Sequence, residues 1–219
     1  APPAENEGVA GERYGRMLAA ILLAYGAIIA LADAVAGSAV RLALLGYLLW
    51  EALRLGGRTR AWARSVAWVG IALALVVVTV VALVAPAVVI SGVVGGVSFG
   101  FTTAIIALLA RAVVTRRAVD TPAVLGVLSV YLLLALFFAS LNQLLAAFDP
   151  NGYLNGVPGR PSAADQLYFS VITMATVGFG DITPASQLAR AVTVVAALTG
   201  QLYLVSVVAA VIGVWRRRT

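Results

Sequence analysis

The residues with the most specific chemistry in this chain are Thr176-Val177-Gly178-Phe179-Gly180-Asp181. The 219 residues include no His and no Cys, which removes imidazole and thiolate chemistry and any disulfide. The chemistry left to this stretch is coordination by its own backbone. A dehydrated cation needs oxygen ligands in place of its water. Carbonyls supply them when four strands stand around one axis with their C=O groups turned inward. Gly178 and Gly180 suit the left-handed backbone this demands, because they carry no Cβ. Val177 and Phe179 alternate with them and are expected to point away and wedge the strand, and Thr176 adds a hydroxyl oxygen at the inner end. A Gly-rich turn between apolar segments is the bland alternative. A lone Gly-x-Gly would fit it; six such residues between a half-length helix and a full-length one fit the ligand cage better.

The elements that position this stretch follow from composition. The chain is 62% hydrophobic with mean hydropathy +1.02. Its apolar runs are long and the polar gaps short, so it reads as an integral membrane protein built of helices. All fifteen basic residues are Arg, and all but Arg41, Arg160 and Arg190 lie at alternate ends of the apolar runs. This is the positive-inside pattern, which argues for anionic lipid rather than nucleic acid as the partner of the basic surface. It also predicts cytoplasmic N- and C-termini.

Residues 1–16 read as a mostly disordered cytoplasmic tail with no cleavable signal peptide. Spans are expected at 17–36, 40–55, 62–90 and 93–114, forming a four-helix module over 17–117. Gly37-Ser38 is the expected first turn and 91–96 an uncharged outer turn. Residues 40–55 are short and carry Arg41, Glu51 and Arg54, but the chain must cross twice between its flanking Arg groups. Asp33 could pair with Arg41 and Glu51 with Arg54, though solvated end charges are the favoured reading for all four. Pro86 should kink or end the third helix. Gly92, Gly96 and Gly100 share one face at small-xxx-small spacing and predict close helix packing. After a linker at 115–121, Thr121-Pro122 reads as N-cap and first residue of a helix over 122–147. A turn-rich loop follows at 148–161. A helix starting at Ser162 or Asp165 is about 12 residues, roughly 18 Å, against a hydrocarbon thickness of about 30 Å, so it should be re-entrant. Its C-terminal dipole end would point inward. Residues 187–215 form the last span.

The filter-like stretch, with the run 167–175 before it, resembles the selectivity filter and pore helix of the potassium channels, with Phe179 where Tyr is commoner. The resemblance covers about 122–215. It implies an all-α membrane fold of six transmembrane helices plus a re-entrant pore helix and filter loop, with a tetrameric pore. The pore domain would be 122–215, with the loop at 148–161 as its turret. Potassium ions would bind at Thr176, Val177, Gly178 and Phe179, with Gly180 completing the filter and Tyr168, Phe169 and Asp181 supporting it. Gly200 resembles the family's hinge glycine, with helix packing as the equal alternative. Leu204, Val208 and Ile212, spaced by four from it, would face the axis as an apolar gate. Three departures stand out. Ala175 replaces a Thr, removing a hydroxyl from the cavity roof. Ile172 stands where some relatives have Glu, so no carboxyl pair forms with Asp181. Phe179 lacks the Tyr hydroxyl, and Tyr168-Phe169 replace two Trp, which predicts a less hydrogen-bonded cuff and a labile filter. Residues 1–121 resemble six-span channels in layout alone, and no ligand-binding domain is expected after Trp215.

The expected function is passive, potassium-selective conduction by a homotetramer in the plasma membrane. Ions are its only small-molecule substrate; the expected partners are membrane lipids, with no nucleic acid, no further cofactor and no catalytic residue. A weakly selective cation channel, a potassium uptake transporter subunit and a non-conducting membrane scaffold are the alternatives. The fourth span has no basic residue before Arg111 and the third no acid, so the module is not expected to be a steep voltage sensor.

Overall fold

The computed structural model describes residues 3–31, 35–55, 72, 76, 78–80, 84–114, 121–149 and 152–215. Helix α1 spans Pro3–Ala30, α2 Val35–Leu55, α3 Ala87–Val114 and α4 Thr121–Ala146. A short strand β1 (Leu154–Asn155), helix α5 (Ala163–Met174), strand β2 (Thr183–Pro184) and helix α6 (Gln187–Trp215) follow. Among the described residues, four stretches are long and apolar enough to cross a membrane: Gly11–Ala30, Ala87–Val114, Pro122–Ala146 and Gln187–Val207. The chain is a multi-pass membrane protein with a mostly helical fold. Most of the expected third span, at 62–90, lies outside the described residues.

Several boundaries differ from expectation. Residues 3–16 are not a disordered tail but the first half of α1. Tyr14, Met17, Ile21 and Ile28 are buried at helical spacing, so the apolar stripe starts upstream of the apolar run and carries the helix with it. Gly37 and Ser38 lie in the first turns of α2 rather than in a loop. Likewise 91–96 is not an outer turn; it lies inside α3, which Pro86 introduces by accepting the Val89 and Ile90 N–H groups on its carbonyl. Val84 is helical and Ala85 a bend, so Pro86 stands at a helix break, one of the two expected outcomes, and heads α3, where a Pro costs no intrahelical bond.

The core lies where α1, α2 and α3 meet α4 of the same chain. Tyr14, Met17, Ile21, Leu45, Leu48, Ile105, Leu109, Val130 and Leu133 form one cluster, which Leu167 of α5 joins. Hydroxyls spend their donors on nearby carbonyls, as apolar surroundings require. Tyr25 of α1 donates to the Leu132 carbonyl at 2.8 Å, Tyr203 of α6 to the Val127 carbonyl at 2.6 Å, and Thr102 back to Ser98 at 2.9 Å. The small-residue contact of α3 differs from the expected row. A Cβ on Gly92 would stand 2.7 Å from Ala147, and one on Gly95 2.7 Å from the Leu144 backbone nitrogen, whereas Gly100 meets nothing within 4 Å. The close face is therefore Gly92 and Gly95, an i,i+3 pair pressed on the end of α4, with Gly96 at its margin.

Arg41 and Glu51 are not solvated end charges; both are buried. Glu51 lies 3.8 Å from Arg54. Arg41 donates through Nη1 to Gln143 Oε1 of α4 at 2.8 Å, and Gln143 Nε2 in turn donates to Ser91 Oγ of α3 at 3.3 Å. Asp33, the expected partner of Arg41, lies outside the described residues.

Candidate functional site

Helix α5 begins with a capping box. Ser162 Oγ accepts the Asp165 N–H at 3.1 Å, and Asp165 Oδ2 accepts the Ser162 N–H at 2.8 Å. This reciprocal pair fixes the start of a helix of 12 residues, too short to span a bilayer. Leu167, Phe169, Ile172 and Met174 anchor it in the protein. The helix stops at Ala175, and the next residues use up its last carbonyls. Ala175 N–H bonds to Val171 O, Thr176 N–H to Thr173 O, and both Val177 and Gly178 N–H to Ile172 O, at 2.9 and 3.3 Å.

Beyond this point the backbone alternates in handedness. Thr176, Gly178 and Gly180 have φ of 57°, 53° and 82°, while Val177 and Phe179 between them do not have positive φ. Alternate left- and right-handed residues turn successive carbonyls toward one side of a strand. The amides of Val177 and Gly178 are already committed to α5, so carbonyl oxygens are left as the polar face of the segment. Thr176 holds a left-handed conformation that costs an L-residue with a side chain roughly 1–2 kcal/mol. The dipole of α5 adds partial negative charge at the inner end of this strand.

The cuff is tied where the sequence suggested it was thin. Tyr168 Oη donates to Asp181 Oδ2 at 2.7 Å, linking α5 to the residue after the filter-like strand. The Tyr168 hydroxyl holds the Asp181 carboxyl below its ordinary pKa. Phe169 packs with Tyr153, Leu154, Ile182 and Ala189. Val177 and Phe179, in contrast, do not wedge against their own chain; they are 50% and 71% exposed. A hollow of about 380 Å³ adjoins the strand at Thr176, Gly178 and Gly180 and is lined also by Phe169, Ile172 and Thr193.

The outer loop is pinned to the same segment. Strand β1 pairs antiparallel with β2, Leu154 opposite Pro184 and Asn155 opposite Thr183. Ala185 N–H donates to Tyr153 O at 3.0 Å. Gly156, at φ 88°, lies against the Asp181 backbone so closely that a Cβ there would stand 2.9 Å from the Asp181 carbonyl carbon. A second link was not anticipated from the sequence. Tyr153 Oη donates to Asn142 Oδ1 at 2.9 Å, and Asn142 Nδ2 donates to Ser170 Oγ at 3.2 Å. Outer loop, α4 and α5 thus share one buried chain of hydrogen bonds. The available signal was Asn142-Gln143, two adjacent amides in an otherwise apolar helix.

Of the four expected hinge and gate residues, Gly200 and Leu204 have described side chains. Gly200 is buried against Met174 of α5, which favours packing over a free hinge. Leu204 is exposed. Val208 and Ile212 lie within α6, but their side chains are outside the described set.

Residues 126–217 match the profile of a family described as ion channel. That family is one of ion channels, not of enzymes, and the matched segment includes α5, the filter-like strand and α6. A further similarity is to two pore potassium channel c of Oryza sativa subsp. japonica, 39% identical over 64 residues. The alignment covers 29% of this chain and 14% of the rice protein, so the chain spans only a small part of that relative.

Proposed function

We propose that this chain is one subunit of a potassium-selective channel, with four copies arranged around an axis and Thr176, Val177, Gly178, Phe179 and Gly180 forming the filter. The observation that carries this reading is the alternation of positive φ at Thr176, Gly178 and Gly180 while the flanking amides bond back to α5. A strand built so offers carbonyl oxygens to a dehydrated ion and little else. Potassium ions would bind at Thr176, Val177, Gly178 and Phe179, and α5, re-entrant and capped at Ser162, would aim its negative dipole end at the ion path. The exposed Val177 and Phe179 support assembly, since neighbouring copies can cover what the single chain leaves open. The likeness of residues 126–217 to ion channels and the similarity to a potassium channel support the same reading.

In this reading α2 and the segment around 62–90 supply two further crossings, for six in all. The Arg-rich ends put both termini in the cytoplasm, and the plasma membrane is the setting. A weakly selective cation pore is the second reading, favoured by the missing hydroxyl at Phe179; the Tyr168–Asp181 bond opposes it. Purified protein in planar bilayers under potassium/sodium bi-ionic conditions separates the two. A reversal potential far from zero is expected for the selective channel. A value near zero would leave the weakly selective pore, and no current would reject both. Gly178→Ala should abolish selective conduction through backbone strain at φ 53°, since nothing of its own chain lies within 4 Å of the added methyl.

A further inference from the structure

Arg41 is 6% exposed, and two of its nitrogens, Nε and Nη2, have no hydrogen-bond partner among the described residues. Nη1 is already engaged by Gln143. The open atoms matter: Nε–H and the adjacent Nη2–H form one edge of the guanidinium, a two-donor fork that ordinarily grips an anion. A guanidinium buried among helices with no counter-charge among the described residues is strongly unfavourable, because it has lost its water and gained no ion there. In this conformation the side chain does not reach solvent, unlike the snorkelling Arg at helix ends.

Arg41 lines a small cavity of about 10 Å³ together with Ile28, Leu31, Gly37, Ser38 and Ala163. Three features of that cavity point the same way. Its volume is that of a single small particle, well below what phosphate, sulfate or a lipid headgroup fills. Ala163 is the first residue of α5, so the positive end of that helix's dipole is beside it. The nearest acid on α5, Asp165, has Oδ2 turned back onto the Ser162 N–H and Oγ–H.

We propose that this cavity is a binding site for a small monovalent anion of halide size, chloride in ordinary salt, held by the Nε/Nη2 fork of Arg41 at the start of α5. A neutral water would fill the space but leave the charge uncompensated. The bound anion joins α2, through Arg41 and Gln143, to α4 and to the mounting of α5. The proposal does not depend on ion selectivity at Thr176–Gly180.

The test is thermal unfolding of the full chain in detergent at fixed potassium concentration and ionic strength, with chloride or bromide replacing gluconate. The midpoint should rise with halide concentration and saturate, and sulfate should not substitute. Arg41→Gln should abolish the halide-dependent increment while the variant still unfolds cooperatively in gluconate. If that variant fails to fold, crystals grown in bromide decide: an anomalous peak within hydrogen-bond reach of Arg41 Nε and Nη2 supports the site, and its absence overturns it. Identical unfolding in gluconate and chloride would also overturn the proposal. So would a wild-type chain indifferent to halide that becomes halide-dependent in Asp33→Asn, which would give the counter-charge to a carboxylate of the chain itself.

Discussion

Gly200 of α6 faces the backbone of Met174 at the end of α5: a methyl built on Gly200 would stand 2.8 Å from the Met174 Cα and 2.9 Å from its carbonyl carbon. The contact is backbone to backbone, so neither side can yield by changing a rotamer. Gly200→Ala should therefore push α6 away from the foot of the filter-like strand. A loss of about 1–3 kcal/mol in stability is expected, as for other overpacked sites, together with reduced or unstable current. Gly100→Ala is the control, because nothing lies within 4 Å of that position and α3 gains up to about 1 kcal/mol of helix propensity. Thermal unfolding and single-channel recording of both variants check this. Equal behaviour of the two would remove the packing role from Gly200.

Tyr168→Phe should shift the acid sensitivity of the outer mouth. The Tyr168 hydroxyl lowers the pKa of the Asp181 carboxyl, first among its causes. A depressed native pKa means the stabilising charge is fully present above the ordinary carboxylate range. It is lost only as pH falls through the lower native value. Phenylalanine removes the donor, so the variant should lose outer-mouth integrity at a higher external pH than the wild type. A titration of current against external pH reads this out, and superimposable curves would mean the bond has no functional weight.

The Tyr153–Asn142–Ser170 chain should behave as one unit. Ser170→Ala removes one acceptor and should cost about 1 kcal/mol, whereas Asn142→Leu also strands the buried Tyr153 hydroxyl and should cost about 1–3 kcal/mol more. In the double variant the two effects should fall short of their sum by at least about 0.5 kcal/mol, since both act on the same bond. Chemical unfolding of the three variants measures the coupling, and strict additivity would contradict a shared network.

Voltage dependence should be shallow. Along α3, from Ala87 to Val114, Arg111 is the sole basic residue, and it lies in the last turn. An elementary charge crossing the whole field contributes about 2.3 kcal/mol per 100 mV, so one charge near a membrane surface cannot drive a steep response. Open probability against voltage should change gradually and survive Arg111→Gln. A steep curve with gating charge that vanishes in that variant would show that α3 moves in the field.

The sequence located the parts that local chemistry determines. Ser162, one of the two expected starts, is the N-cap of α5, and the glycine alternation at Gly178 and Gly180 marks left-handed positions, because caps and positive φ depend on one or a few adjacent residues. Contacts between distant segments were less legible. Gly92 and Gly95 are the close pair in place of the expected Gly92-Gly96-Gly100 row, since only the facing surface of α4 decides which glycines are used. Arg41 read as an end charge because its burial depends on Gln143, 102 residues away. Tyr168 and Asp181 were each singled out as supports, yet the bond between them went unforeseen, and a cuff judged thin by residue type has a direct tie.

The seam between β1 and β2 gives the loop between α4 and α5 an uneven tolerance to engineering. Exposed loop tips ordinarily accept tags and insertions. Here Leu154, Asn155 and Gly156 are laced to residues 181–184, so an epitope inserted there would be transmitted as mechanical strain into the carbonyl strand within a few bonds. Three and four residues further on, Gly159 and Arg160 are exposed, and nothing lies within 4 Å of a Cβ built on Gly159. A fluorophore or affinity handle belongs at that second position, where it can report on the protein from outside without pulling on its mouth.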